Sequence, residues 1–297
     1  MRGRGFDVKP YLDLLREIMT TGRNKQQRAV LKDGRHPTTK ALFGRQIRFD
    51  LTAGFPLVTT KKVSFGLVRD ELLWFLSGST NNNDLKRASN IPAGKSSIWE
   101  AWANQDTGEI GPIYGKQWRR WESPTGEKID QIARLVDGIK AVVADPTASV
   151  GRRLILTAWN PVDISAAERE KLTAPMACHT LSQFDVTDGR LSCQLYQRSA
   201  DMFLGVPFNT ASYATLTHLL AHVTGLAVGD FIHTFGDAHV YDNSFDQVNV
   251  QLGREPKPLP RLTIDPAVRS MDGIRPDQIK LEGYDPWPVL DRVEVAV

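Results

Sequence analysis

Residues 179–201 read HTLSQFDVTDGRLSCQLYQRSAD, and residues 209–225 read NTASYATLTHLLAHVTG. In the first stretch apolar and polar residues alternate on both sides of Asp188-Gly189, a dipeptide suited to a tight reversal. The pattern predicts two strands joined as a hairpin. The second stretch has no period of two and stops at Gly225, which predicts a helix with a glycine end. Two strands followed by a helix already exclude an all-helical or all-strand chain.

The rest of the sequence agrees with that mixture. DVKPYLDLLREIMTTG spaces its apolar residues as a helix does and ends at Gly22. The polar run NKQQRAVLKDGRHPTTKALFG (24–44) is punctuated by Gly34 and Pro37 and reads as a mobile loop. RQIRFDL and RRLILTAWN (152–160) read as strands, and SFGLVRDELLWFLSG (64–78), apolar on most sides, as a helix buried in the core. Residues 78–97, GSTNNNDLKRASNIPAGKSS, form a polar insertion before IWEAWA, and DFIHTFGDAHVY leads into a proline-rich tail. With neither an internal repeat nor a linker, residues 1–297 read as a single α+β domain of mixed α/β character.

Composition narrows the functional classes. The chain has 297 residues, 41% hydrophobic and 24% charged, enough to bury a sizeable core. A net charge of +3 gives little reason to expect a DNA or RNA partner, and no run of residues is apolar enough for a membrane span. Two cysteines make neither a disulfide framework nor a zinc spacing, so a reducing cytoplasm and no metal are expected. Cys193 lies among alternating Leu191, Leu195 and Tyr196 and reads as core. Cys178 is harder to place. A strand-edge cysteine is most often a small buried hydrophobe, and adjacent His179 would point to the other face of a strand. A nucleophilic thiol needs a cation near it, and Arg198 and the pair Arg152-Arg153 are the candidates.

The stretch CQLYQRSADMFLGVPFNTASYA (193–214) resembles the nucleotide-binding core of the thymidylate synthase family. FPLVTTKK, ELLWFL, GPIYGKQWR, GRRLILTAWN, GDAHVYDN, REPKPLPRL and EGYDPWP resemble that family's other blocks, in the same order, from about Tyr11 to Val297. The resemblance implies a large mixed β-sheet flanked by helices, the sheet forming the interface of a homodimer. It implies folate-dependent transfer of one carbon to C5 of a pyrimidine nucleotide, with dUMP and 5,10-methylenetetrahydrofolate as substrates. Cys178 is then the nucleophile that adds to C6. Arg198 stabilises sulfur and phosphate, and Ser199 and Arg35 bind the phosphate. Arg152 and Arg153 reach across to the partner's nucleotide. Asn209 reads the base, with His179 supporting a water near O4, and His239 and Tyr241 hold the sugar hydroxyl. Glu71 manages protons, Tyr114 assists loss of the C5 proton, and Asp201, Trp99, Trp102, Lys61, Phe208 and Val297 contact the folate. Read by itself, Asn209 would also suit a helix N-cap before TASYATLTHLL.

The chain departs from the family's pattern mostly around the folate. Its phosphate loop GRHPTTKALFG is one residue short, Ser64 and Ala177 replace more usual residues, and Phe235 interrupts a double glycine. These changes leave two outcomes open, a methyl product by hydride transfer or a hydroxymethyl product by water. A dCMP methylase or hydroxymethylase on the same fold is the alternative substrate reading, although asparagine at 209 favours uracil through its paired donor and acceptor.

Overall fold

The computed structural model describes residues 8–92, 95–169, 176–291 and 293–295. The chain opens with α1 (Lys9–Thr21), β1 (Arg23–Gln26) and β2 (Thr38–Asp50), followed by α2 (Phe65–Leu76), α3 (Asn82–Ala88) and α4 (Tyr114–Arg120). A short hairpin, β3 (Trp121–Glu122) and β4 (Lys128–Ile129), leads into α5 (Gln131–Ala144), β5 (Ile155–Thr157) and α6 (Pro161–Arg169). The centre is β6 (His179–Thr187), β7 (Arg190–Asp201), α7 (Gly205–Thr224) and β8 (Ala227–Tyr241). Helix α8 (Phe245–Leu252) and the pair β9 (Arg261–Ile264) and β10 (Ile279–Glu282) complete the order.

Six strands form one mixed sheet in the order β1-β2-β8-β7-β6-β5. All its pairings are antiparallel except β7 with β8, which run parallel because α7 carries the chain back between them. The turn at Asp188-Gly189 has φ of 51° and 69°, the left-handed geometry that a two-residue hairpin requires. On one face of β7, Leu191, Cys193 and Leu195 are fully buried. Helix α7 is buried nearly all round, as its lack of an apolar stripe demands, and residues such as Leu216, Leu219 and Leu220 each contribute about 1.5–3 kcal/mol of burial. Gly225 closes that helix at φ 74°. On the other face of the sheet Gln46, Gln183, Gln194 and Tyr196 are exposed beside Ile155 and Leu181.

Several elements differ from the sequence reading. The stretch 24–44 is not one loop: it supplies most of β1 and the first half of β2, which runs to thirteen residues. Its polar side chains hid the strands because β1 lies at the sheet edge with every side chain exposed. RRLILTAWN gives a strand of only three residues, since Arg152 and Arg153 sit in a 3-10 turn before it. The polar stretch 78–97 contains α3, capped by Asn81, whose side chain accepts from the Asn83 amide at 2.9 Å. Asn209 is not an N-cap: α7 starts at Gly205 and takes Asn209 into its second turn. Among the described residues no helix is long and apolar enough to cross a membrane.

Candidate active site

Cys178 sits in a bend just before β6, half-buried, at a point where pairing with β7 slips by one residue between His179 and Leu181. The adjacent strand grips this bend: the Arg198 amide donates to the Cys178 carbonyl at 2.9 Å. The Arg198 guanidinium donates from Nε to Ala177 O at 3.1 Å and from Nη2 to Met176 O at 2.5 Å, and lies 5.6 Å over the Trp159 ring. Burial raises the thiol above its ordinary range, and the Arg198 charge opposes that rise. One guanidinium of the same chain therefore acts on the sulfur. Cys193, fully buried, is pushed up to about 12 by desolvation and behaves as core.

Tyr114 supports the bend from below. Its hydroxyl accepts from the amides of Cys178 at 3.0 Å and His179 at 3.3 Å. The His179 ring lies between Tyr114 and Tyr213, with centroids 5.0 Å and 5.3 Å away. Desolvation lowers His179 to about 4, so the ring is neutral at physiological pH. Its Nδ1 is buried without a protein partner among the described residues, which a buried polar atom rarely tolerates unless water or ligand completes it.

Glu71 on α2 accepts from Trp99 Nε1 at 2.8 Å, and Trp99 packs edge-on against Trp102 at 6.0 Å and Tyr114 at 6.3 Å. Desolvation pushes the Glu71 carboxyl up to about 7, against the smaller opposing effect of the Trp99 bond. A group with that affinity can take and release a proton at neutral pH. Lys61, almost wholly buried, is lowered to about 7 by desolvation, which the Asp201 charge resists; its ammonium bonds the Phe203 carbonyl and sits 3.6 Å over the Phe203 ring. The Asp201 carboxylate accepts from the amides of Phe203 and Leu204 at 2.9 and 3.1 Å, which shapes the entry to α7. Phe208 is half-buried against the core, and Val297 lies outside the described residues.

Sheet register lines up the remaining candidates: Ser199 pairs with Asp237, and Asp201 with His239. His239 Nδ1 meets Asp237 Oδ1 at 3.1 Å, and the His239 and Tyr241 rings are 5.2 Å apart on one side of β8. Arg35 reaches the end of the same strand, donating to Asp242 Oδ2 at 2.9 Å. Arg152 and Arg153 stand apart. Both are exposed at the β5 edge of the sheet, and Arg153 donates to Ser149 Oγ at 3.0 Å. The sequence reading passed over Gln197 and Tyr213, both buried polar residues. Gln197 donates to the Asn209 side chain at 3.0 Å, and its signal was a polar residue on the apolar side of an alternating strand.

A thiol, a nearby guanidinium, a carboxyl raised to about 7 and an amide on a helix are groups that chemistry on a small polar ligand could use. The family model described as thymidylate synthase matches residues 9–297. The chain belongs to the thymidylate synthase family, whose members are methyltransferases acting at C5 of a pyrimidine with methylenetetrahydrofolate as co-substrate. Its mixed sheet flanked by helices is that family's fold.

Proposed function

We propose that the chain converts dUMP to dTMP through a covalent bond between Cys178 Sγ and C6 of the uracil. The observation that carries this reading is the clamp of Arg198 on the carbonyls of Met176 and Ala177, which fixes a cation at the nucleophile's own bend. Sulfur addition at C6 moves the ring's π-electron pair onto C5 and O4, and C5 becomes the nucleophile. Arg198 opposes the burial cost of the thiolate, and Ser199 and Arg35 supply donors for the phosphate. The folate, when bound, supplies the one-carbon unit and the hydride. Glu71, with a proton affinity near neutrality, holds or releases a proton near O4. The His179 Nδ1 lacking a protein partner suits an ordered water there. Tyr114 positions the nucleophile through two amides, and the C5 proton leaves to solvent. The electrons that this proton leaves behind release the one-carbon unit from its donor, and the ring double bond re-forms, expelling the sulfur, once the hydride that the folate would supply reaches that carbon.

The residues fit the folate as a group. Trp99 and Trp102 offer aromatic faces next to the Glu71 carboxyl, and Lys61 is a cation close to Asp201. A homodimer belongs to the same reading. Arg152 and Arg153 are exposed at the edge of a sheet whose open face carries Tyr196, Ile155 and Leu181. A second subunit packed on that face would bring two more guanidinium groups to the partner's nucleotide. The two free thiols, Cys178 and Cys193, accord with a cytoplasmic setting.

The test is incubation with methylenetetrahydrofolate and either dUMP or dCMP, following dihydrofolate absorbance and the mass of the product. dTMP formed with stoichiometric dihydrofolate is the expected result. A 5-hydroxymethyl product without dihydrofolate, or turnover of dCMP in preference to dUMP, overturns it in favour of the hydroxymethylase or cytidylate alternative.

A further inference from the structure

His233 is fully buried in the middle of β8, 4.1 Å from the Phe235 ring centroid and 5.4 Å from that of Phe231. Nothing in the reaction described above uses it. Its Nε2 lies 2.8 Å from Gln197 Oε1, and its Nδ1 3.2 Å from Thr210 Oγ1 on α7. Gln197 in turn donates from Nε2 to the Ser199 carbonyl and to Asn209 Oδ1, both at 3.0 Å. These four contacts form one buried chain from an imidazole to the amide that faces the base.

The direction of every bond in the chain follows from a single group. A backbone carbonyl only accepts, so the Gln197 atom facing Ser199 O is the amide nitrogen. Gln197 Oε1 therefore faces His233, and only an Nε2–H tautomer can donate to it. His233 Nδ1 is then a lone pair that accepts from the Thr210 hydroxyl. At the other end, Gln197 uses its second N–H on Asn209, whose facing atom must be the carbonyl oxygen. The amide of Asn209 is thus held in one of its two flip states, with Oδ1 toward Gln197 and Nδ2 turned away from it; the His179 ring also contacts this side chain. Uracil presents O4 as acceptor and N3–H as donor, which matches that state. Cytosine presents the opposite pair and would need the flipped amide, which would set Asn209 Nδ2 against Gln197 Nε2, donor against donor.

We propose that His233 is a positioning residue for base selection, fixing through Gln197 the flip state of Asn209 and thereby favouring uracil over cytosine nucleotides. The inference rests on the reading of Asn209 as the base-contacting residue. Replacing His233 by leucine leaves Gln197 Oε1 unpaired in the core and removes one of the two anchors that hold the glutamine, so its hold on Asn209 loosens. An unpaired buried polar group costs enough to change an equilibrium about ten- to a hundredfold. The dUMP to dCMP ratio of kcat/KM is expected to narrow by that factor in His233→Leu. His233→Gln, whose amide nitrogen can stand where Nε2 stood, is expected to return the ratio toward wild type.

The experiment measures kcat and KM for both nucleotides in wild type, His233→Leu and His233→Gln, with thermal melts to establish folding. Ring-nitrogen NMR shifts of the substrate-free wild type provide a readout independent of turnover, and a neutral Nε2-protonated ring at His233 is expected. A wild type with no preference for dUMP overturns the reading of Asn209, and the inference falls with it. A wild type that prefers dUMP, with a folded His233→Leu variant keeping the same ratio, overturns the inference alone. So does an Nδ1-protonated ring, or a failure of His233→Gln to recover selectivity that His233→Leu has lost.

Discussion

The perturbation Glu71→Gln tests the electrostatics of the site without any substrate. Desolvation raises Glu71 from its ordinary 4.5 to about 7. At about 1.4 kcal/mol per tenfold change in proton affinity, that gap is roughly 3 kcal/mol. Between pH 4.5 and about 7 the folded chain holds a proton that the unfolded chain has released, so stability falls as pH rises through that window. Above it the folded protein carries the full cost of a buried charge. Glutamine keeps an oxygen for the Trp99 indole N–H and never ionises. Glu71→Gln is therefore expected to melt close to wild type at pH 4.5 and to become more stable than wild type by up to about 3 kcal/mol at pH 8. For 297 residues, at about 2.1 cal/mol/K of unfolding entropy per residue, this is a gain of about 5 °C. His179, lowered by burial, gives a slope of opposite sign at lower pH, but it is common to both proteins and cancels in the difference. The assay is a paired series of thermal melts at half-unit steps of pH. Turnover by the variant is expected to fall by about 10²–10⁴, the range for a missing proton carrier. A melting difference that stays constant from pH 5 to pH 8 would refute the assignment of a raised proton affinity to Glu71.

Four further outcomes are expected. Cys178→Ser abolishes turnover and any covalent nucleotide adduct while leaving the melt nearly unchanged; mass spectrometry of the denatured protein after incubation with dUMP and folate checks it, and a surviving adduct counts against the nucleophile. Tyr114→Phe leaves the amides of Cys178 and His179 without their acceptor, costs roughly 1–3 kcal/mol, and lowers kcat more than it raises KM; unchanged kcat would show that the bend needs no such support. At Gly236 a methyl group would stand 2.7 Å from Arg198 O and 3.0 Å from Tyr196 Oη, so Gly236→Ala displaces the Arg198 strand and lowers kcat/KM about tenfold, read by steady-state kinetics. Inactive Cys178→Ser protein mixed with inactive Arg152→Ala/Arg153→Ala protein regains activity through hybrid dimers, and its absence in a dimeric mixture would mean that the arginines serve their own subunit.

The central hairpin was legible because β7 alternates as far as Gln197, and α7, apolar nearly all round, because its run ends at Gly225, which takes a left-handed turn. β1 and the start of β2 were not legible, since β1 exposes every side chain and lies on the sheet edge, where burial imposes no pattern. The start of α7 was misjudged by four residues: Asn209 suits an N-cap, but the helix begins at Gly205 and takes Pro207 into its first turn, where a proline loses no helical hydrogen bond. At the site, the resemblance rather than residue type singled out Cys178 and Arg198, and neither told how Arg198 is held, because bonds to the carbonyls of Met176 and Ala177 depend on backbone positions that no side-chain pattern encodes. His233 was invisible for the same reason. Among alternating Phe231 and Phe235 it reads as one more core ring, and its meaning lies in the two atoms it faces, one on β7 and one on α7.

The one parallel pairing in the sheet has a kinetic consequence. β7, α7 and β8 form a continuous block that carries Arg198, Asn209 and His239, and the Cys178 bend is tied to it through the Arg198 amide. β8 is also the strand on which β2 zips, from Thr39 opposite Tyr241 to Asp50 opposite Asp230. On the proposed reading, a nucleotide bound to the block is expected to slow the unzipping of β2, so that amide hydrogen exchange along β2 registers occupancy of the site from a distance.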